Sequence, residues 1–146
     1  MSKVLVTGAT GFVGQAVCRI LRAEGHTLTG VTRDKALKRG PENIPLYYST
    51  EIGAKTDWPP AVSGAEMVGH LAARAHIMRE SSNDPLAAFR GGNRDGTASL
   101  ARAAAAAGVR RLVFLSTVKV NGETSGENPF SEDDAPAPED AYGISK

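Results

Sequence analysis

Three glycines, spaced three residues apart, follow the first apolar run of the chain. Residues 4–6 are Val-Leu-Val, and Gly8, Gly11 and Gly14 come shortly after them. This spacing suits a backbone that turns tightly from a strand into a helix and approaches a phosphate, because a Cβ at Gly8 or Gly11 would fill the space. The positive end of the helix then faces the anion. The segment predicts a dinucleotide-phosphate site, and a purely structural turn is the alternative.

Apolar runs alternate with helical patterns along the chain. Runs that are apolar at successive positions, such as 112–115, indicate strands covered on both faces in a parallel sheet. The predicted fold class is therefore α/β, with a doubly wound parallel sheet. Residues 34–60 carry so many prolines and glycines that we expect loops there with one short strand. The predicted strands are 3–7, 27–32, 44–48, 65–71 and 111–116, and the predicted helices are 12–23 and 85–107.

The second predicted helix has well-marked ends. Asp84 can cap it, Pro85 fits its first turn and Gly108 can end it. The pair Gly91 and Gly92 interrupts it, at about 1 kcal/mol for each glycine. This interruption indicates local bending or close packing.

Composition narrows the class of protein. The chain has 146 residues, 41% of them hydrophobic, which suits one domain over residues 1–146. Its 17 basic and 16 acidic residues are scattered and give a net charge of +1, so no nucleic-acid partner is indicated. No run is apolar enough for a membrane span. A single cysteine cannot form a disulfide within the chain, so a cytoplasmic protein is expected. Cys18 lies among apolar residues, which favours a buried thiol over a nucleophile.

Tyr142 and Lys146 are four residues apart, so on a helix they share one face. An ammonium beside a phenol stabilises the phenolate, which can exchange a proton with a hydroxyl or carbonyl during hydride transfer. Thr117 follows the predicted strand 111–116, at the edge of the sheet where ligands bind. These three residues are the catalytic candidates. A solvated helix face is the alternative for Tyr142 and Lys146.

No metal site is predicted. His70 stands at the end of a buried strand, where a packed or hydrogen-bonded histidine is expected, and His26 and His76 have no partners at metal-like spacing. Acidic residues between positions 121 and 141 lie in a proline-broken segment. We expect a solvent-exposed loop there, at the entrance of the substrate site, rather than a metal site or acid-base catalysts.

Taken in order, these segments resemble the N-terminal, cofactor-binding part of an extended short-chain dehydrogenase/reductase, in the NAD(P)-dependent epimerase/dehydratase family. The glycine turn, residues 70–73 (His-Leu-Ala-Ala), residues 93–97 (Asn-Arg-Asp-Gly-Thr), residues 115–122 and the Tyr142–Lys146 pair each match a motif of that family. The resemblance implies an NAD(P)-binding Rossmann-like fold. We expect this domain to be incomplete and the family's substrate-binding C-terminal part to be absent.

The resemblance also implies which residues bind the cofactor. Phe12 and Val13 are expected to pack against the pyrophosphate turn, and Glu51 and Ile52 to lie near the adenine. The implied cofactor-binding residues are Gly8, Thr10, Gly11, Phe12, Val13, Gly14, Thr32, Arg33, Glu51, Ile52, Leu71, Ala72, Ala73 and Asn93.

The end of the second strand departs from the pattern of NAD-dependent epimerases. Such enzymes commonly have an aspartate there for the ribose hydroxyls, whereas this chain has Thr32 followed by Arg33. An arginine can pair with a 2′-phosphate, so NADP is favoured modestly over NAD. A merely solvated Arg33 is the alternative. Asn121 replaces the usual tyrosine of its motif and marks a subgroup.

Residues 73–76 and 119–123 look most like bacterial nucleotide-sugar enzymes of surface-polysaccharide synthesis, either 4-epimerases or 4-keto reductases. The implied substrate is a nucleotide sugar, with a UDP-linked one favoured. In the implied mechanism a hydride moves at sugar C4, Tyr142 moves the hydroxyl proton, Lys146 holds the ribose and Thr117 hydrogen-bonds the reacting oxygen. Dehydration ranks last because Val118 and Lys119 supply no acidic group.

Two further expectations follow. The chain is expected to bind its cofactor but to be inactive alone. An uncovered sheet edge beside 112–115 predicts that copies of the chain self-associate, for example as a homo-oligomer. The alternative function is a non-catalytic NAD(P)-binding sensor or scaffold on the same fold. Retention of Thr117, Tyr142 and Lys146 favours an enzyme.

Overall fold

The computed structural model describes residues 1–75 and 83–146. These residues form five strands and five α-helices, with a π turn at Gly91–Asp95 and 3-10 turns at Pro41–Asn43 and Val118–Val120. The strands are β1 (Lys3–Thr7), β2 (Thr27–Thr32), β3 (Leu46–Tyr48), β4 (Met67–His70) and β5 (Arg111–Phe114). The helices are α1 (Phe12–Ala23), α2 (Pro59–Val62), α3 (Pro85–Arg90), α4 (Gly96–Ala106) and α5 (Ala141–Ser145).

All five strands pair in parallel, in the order β3-β2-β1-β4-β5. Leu5 in the central strand is opposite Thr29 of β2 and Val68 of β4. The chain runs outward from β1 to β3 and then returns to the other side of β1, so the strand order reverses between β1 and β4. Ligands of such sheets bind at this reversal, beyond the carboxyl ends of the strands.

Two apolar layers cover the sheet. Leu5 packs with Trp58, Leu100 and their neighbours on the side of α2 and α4, while Val4 and Val6 pack with Cys18 on the side of α1. Successive residues of β1 therefore point into opposite layers, as the apolar run predicted for a strand covered on both faces. No helix in the described part of the chain is both long and apolar enough to cross a lipid bilayer.

The parallel α/β fold is confirmed, and the predicted bounds of β1, α1 and β2 match the structure. The predicted helix over 85–107 is present as a helical run that ends at Ala106, and the π turn that joins α3 to α4 begins at Gly91, where the interruption was expected. Residues 34–60 contain more regular structure than expected. Besides β3, this segment contains the 3-10 turn Pro41–Asn43. Helix α2 begins at Pro59, because proline is well suited to the first turn of a helix.

Strand β5 forms one edge of the sheet. Val113 is 54% exposed and Leu115, just past the strand, is 44% exposed. Val113 is opposite Gly69 of β4, so its side chain lies on the face that α1 covers farther along the sheet. The predicted uncovered edge is therefore present in the described residues.

Candidate functional site

The glycine turn lies at the strand-order reversal, between the ends of β1 and β4. Gly8 has a φ of +71°, and a Cβ there would come within 2.8 Å of the backbone nitrogen of Ala72. A Cβ on Gly14 would overlap the carbonyl oxygen of Gly8, so helix α1 packs directly on the turn. The N–H of Gly11 donates to that same carbonyl at 3.0 Å. The spacing of the glycines thus builds a tight cradle, as predicted.

The first turn of α1 is open to an anion. Gly11 is its N-cap, no side chain caps it, and its first turn holds no acidic residue. Amide N–H groups at such an end lack helical partners and attract negative charge. The cradle and this helix end together suit the pyrophosphate of a dinucleotide. Thr10 lies beside them with its carbonyl bound by the side chain of Gln15.

The expected packing of Phe12 against the turn is wrong. Phe12 is 96% exposed, and Val13 is 46% exposed. Both residues stand in the first turn of α1, whose buried residues are Gly14 and Cys18, so their side chains point away from the sheet. What these two residues can offer a phosphate is therefore their backbone N–H groups.

A buried hydrogen-bonded network joins the ends of β1 and β4. His70 is 1% exposed, its Nδ1 lies 2.6 Å from the hydroxyl of Thr7, and its Nε2 lies 2.9 Å from the hydroxyl of Thr97. The Thr7 hydroxyl also accepts the N–H of Ala72 at 3.2 Å. Burial, aided by the charge of Lys146, lowers the pKa of His70 to about 4. His70 is thus a neutral, hydrogen-bonded core histidine, as predicted.

This network fixes the loop that follows β4 beside the glycine turn. Gly8 contacts the backbone of Leu71 and Ala72, so three of the predicted cofactor-binding residues lie together. Ala73 is next along the loop and is exposed. His76 lies outside the described residues.

The geometry does not support cofactor binding by the side chain of Asn93. This residue is 3% exposed, and its Oδ1 accepts the N–H of Arg74 at 2.7 Å. Its Nδ2 donates to the carbonyl of Arg74 at 3.1 Å and to the hydroxyl of Ser145 at 2.8 Å. Because both amide hydrogens are used within the chain, Asn93 instead links the loop after β4 to helix α5.

Helix α5 carries the catalytic candidate Tyr142, and the candidate Lys146 follows at its C-terminal end. Its N-cap is Asp140, whose carboxylate accepts the N–H of Gly143 at 2.6 Å. Tyr142 packs edge-on against Phe89, with 6.1 Å between ring centres. Lys146 donates to the carbonyl of Leu115 at 2.8 Å, and its Nζ lies 4.3 Å from the ring centre of Phe114. Burial lowers the pKa of Lys146.

Thr117 lies on the segment that α5 contacts. It begins the turn Val118–Val120, where its hydroxyl accepts the N–H of Lys119 at 3.3 Å. Lys146 reaches the backbone only two residues before Thr117. The structure therefore gathers the segments of all three catalytic candidates beyond the carboxyl end of β5, on the same edge of the sheet as the glycine turn.

The predicted nucleoside end of the site lies beyond β2 and β3. Thr32 is 5% exposed and its hydroxyl accepts the N–H of Asp34 at 3.0 Å, whereas Arg33 is exposed. Glu51 is exposed, and Ile52 packs against the core layer of α4. Thr32 therefore caps the loop, and of these two residues Arg33 has the side chain open to a ligand.

Two residues that the sequence did not single out anchor the Glu51–Ile52 loop. The indole N–H of Trp58 donates to the hydroxyl of Ser99 at 2.7 Å, and that hydroxyl lies 3.0 Å from the carbonyl of Gly53. Such a link between positions 41 residues apart leaves no local pattern in a sequence.

Other titratable groups form no metal centre in the described residues, where no cluster of three or more His, Cys, Asp or Glu side chains could hold a metal ion. Cys18 is fully buried, and burial, with a smaller effect from Glu42, raises the pKa of its thiol. The interpretation of Cys18 as a small core residue is confirmed.

Comparisons with known proteins show a family match and a shared fold. The NAD dependent epimerase/dehydratase family matches residues 4–146. A UDP-glucose 4-epimerase from Vibrio cholerae is 38% identical over 144 residues, which cover 98% of this chain and 43% of that protein. The chain thus spans less than half the length of this curated relative.

Solved structures show the same fold. A short-chain dehydrogenase/reductase superfamily protein from Agrobacterium tumefaciens with bound NAD has a TM-score of 0.78 at 30% identity, covering 99% of this chain and 42% of that one. A UDP-glucose-4-epimerase from Stenotrophomonas maltophila, with bound NAD and formylated UDP-arabinopyranose, has a TM-score of 0.80 at 26% identity. That match covers 100% of this chain and 46% of the other.

Proposed function

The chain belongs to the NAD-dependent epimerase/dehydratase family, and from that premise we propose that it is the cofactor-binding part of an enzyme acting on a nucleotide sugar. One observation carries the proposal: the glycine cradle at the strand-order reversal shares a sheet edge with the segments of Thr117, Tyr142 and Lys146. A binding protein without chemistry would need the cradle but not these three residues. Enzyme chemistry therefore accounts for more of the site than a sensor or scaffold role.

The cofactor would be held by backbone and side-chain groups already described. The cradle of Gly8, Gly11 and Gly14 with the first N–H groups of α1 suits its pyrophosphate, and the Glu51–Ile52 loop suits its adenine. When bound, the cofactor supplies or accepts the hydride. Solved relatives with bound NAD support a dinucleotide of this kind.

The reaction proposed is hydride transfer at C4 of a UDP-linked sugar, as a 4-epimerase or a 4-keto reductase. Tyr142 exchanges the proton of the reacting hydroxyl, and Thr117 hydrogen-bonds the same oxygen. Lys146 holds the ribose beside them. The named activity of the Vibrio cholerae relative and the UDP-sugar in the Stenotrophomonas maltophila structure support this substrate class. We place the reaction in the cytoplasm, and we expect no turnover by the chain alone.

Arg33 gives the proposal its test. We propose that its exposed guanidinium binds a 2′-phosphate and favours NADP over NAD modestly. Calorimetric titration of the chain should then show NADPH binding that Arg33→Ala weakens about tenfold, a loss of ~1.4 kcal/mol, with NADH binding unchanged. Arg22→Ala is the matched control, because that arginine is exposed in the last turn of α1, away from the cradle.

Each result has a clear meaning. Binding of NADH and NADPH with equal affinity, unaffected by Arg33→Ala, would establish the cofactor site but overturn the phosphate preference. Absence of binding by either nucleotide would overturn the proposed cofactor role of the chain.

A further inference from the structure

An ion pair bridges the two segments that carry the catalytic candidates. Lys119 stands two residues after Thr117, and Asp140 stands two residues before Tyr142. The ammonium of Lys119 lies 2.6 Å from Oδ2 of Asp140 and 2.8 Å from Oε1 of Glu123. The pair therefore spans the gap between the Thr117 turn and helix α5.

Asp140 makes a second bond with its other oxygen. Oδ1 accepts the N–H of Gly143 at 2.6 Å and so caps α5, while Oδ2 receives the lysine. The hydrogen bond from Lys119 is the main cause that lowers the pKa of Asp140, and the bond to Asp140 is the main cause that raises the pKa of Lys119. One carboxylate thus both starts the helix and ties it to the neighbouring segment.

The backbones of the two segments also touch. A Cβ on Gly143 would lie 2.7 Å from the carbonyl oxygen of Lys119, so any larger residue would push the segments apart. The N–H of Ala137 donates to the carbonyl of Val120 at 2.8 Å. The hydroxyl of Thr117 in turn accepts the N–H of Lys119, so the lysine is bonded at its backbone to one catalytic candidate and through Asp140 to the helix of the other.

Helix α5 needs such contacts because it is short. It has 5 residues, and an isolated helix of that length does not persist in water. Both partners of the ion pair are more than a third exposed, so solvent screens the attraction and the pair contributes little to global stability. Its effect is instead local, on the place where α5 begins.

We propose that Lys119 and Asp140 are positioning residues, which hold the Tyr142 helix in register with the Thr117 turn. The catalytic consequence of this inference rests on the proposed function, which assigns roles to Tyr142, Thr117 and Lys146. Neither positioning residue is assigned contact with substrate or cofactor. They act through the helix that carries Tyr142 and ends beside Lys146.

The first measurement is amide hydrogen exchange on the chain without ligand. Asp140→Asn keeps an acceptor for the N–H of Gly143 but loses the charge, and Lys119→Met keeps the stem but loses the ammonium. Both should speed exchange at Ile144 and Lys146 about tenfold, with the amides of β1 and β4 unchanged. Lys119→Arg keeps the positive charge and should exchange as slowly as the wild type. Glu123→Gln removes the charge of the other partner of Lys119 and should leave the exchange rates of α5 unchanged.

The second measurement separates positioning from general loosening. ADP lacks the nicotinamide ribose that Lys146 is proposed to hold, whereas NADH carries it. Calorimetry should show that Asp140→Asn and Lys119→Met weaken NADH binding about fivefold and leave ADP binding unchanged. A merely structural role would weaken both ligands or neither.

The outcomes distinguish the two proposals. Wild-type exchange rates in α5 of both variants, or equal losses of NADH and ADP binding, would overturn the positioning role. Wild-type protein that binds neither nucleotide would overturn the proposed function, and the exchange rates in α5 would still decide whether the ion pair holds the helix.

Discussion

The side chain of Asn93 donates a 2.8 Å hydrogen bond to the hydroxyl of Ser145, 52 residues later in the chain. The same amide group holds the backbone N–H and C=O of Arg74. A single buried side chain in the π turn therefore joins the loop after β4 to the helix of Tyr142.

Asn93→Ala should lower the free energy of unfolding by about 2–3 kcal/mol, because it removes two hydrogen bonds to the half-buried backbone of Arg74 and one to the hydroxyl of Ser145. Ser145→Ala removes one of these three bonds, together with the bond that its hydroxyl donates to the carbonyl of Tyr142, and should cost about 1 kcal/mol. Urea denaturation followed by circular dichroism measures both values. Equal losses in the two variants would show that the bonds to Arg74 contribute little.

Acid should weaken the fold through His70. Its folded-state pKa of about 4 lies below the ordinary value of 6.5, so the unfolded chain binds the proton more readily. This effect is absent above pH 6.5, grows as the pH falls toward 4, and reaches about 3 kcal/mol. Denaturation at several pH values should show this loss in the wild type, and His70→Gln should lack that part of the pH dependence. An imidazole resonance of His70 that titrates near pH 6.5 would contradict the prediction.

Gly14→Ala should disrupt the phosphate cradle, because the added methyl group overlaps the carbonyl of Gly8. We expect NADH and NADPH binding to fall by more than about tenfold, together with a lower melting temperature, as α1 is pushed from the turn. Ala16→Ser, on the exposed side of the same helix, is the control and should preserve both properties. Calorimetry and thermal circular dichroism provide the two readings, and undiminished binding by Gly14→Ala would argue against the cradle.

The uncovered edge at β5 should promote self-association at high protein concentration. Val113→Lys places a charge on that edge, which opposes strand pairing between copies, and should shift the chain toward the monomer. Ile20→Lys adds the same charge at a 59% exposed position of α1 and should leave the association unchanged. Sedimentation velocity distinguishes these outcomes. A wild-type chain that stays monomeric throughout the concentration range would refute the prediction.

Local patterns in the sequence were sufficient for the parallel sheet and the glycine turn. Gly8 and Gly14 could be predicted because their requirement is steric and repeats at fixed spacing, and β1 because every residue of 4–6 is apolar. The pair Gly91 and Gly92 indicated the interruption of the helix, but the hydrogen bonds of Asn93 could not be predicted, since its partners lie on two distant segments. Phe12 shows a second limit: a motif can identify a residue whose backbone is suited to a ligand without showing where its side chain points.

The burial of Trp58 has a practical consequence. It is the only tryptophan of the chain, and its indole is bonded to the serine that also holds Gly53, beside the proposed adenine loop. Its fluorescence is therefore a built-in reporter, free of any attached label, for movement of that loop.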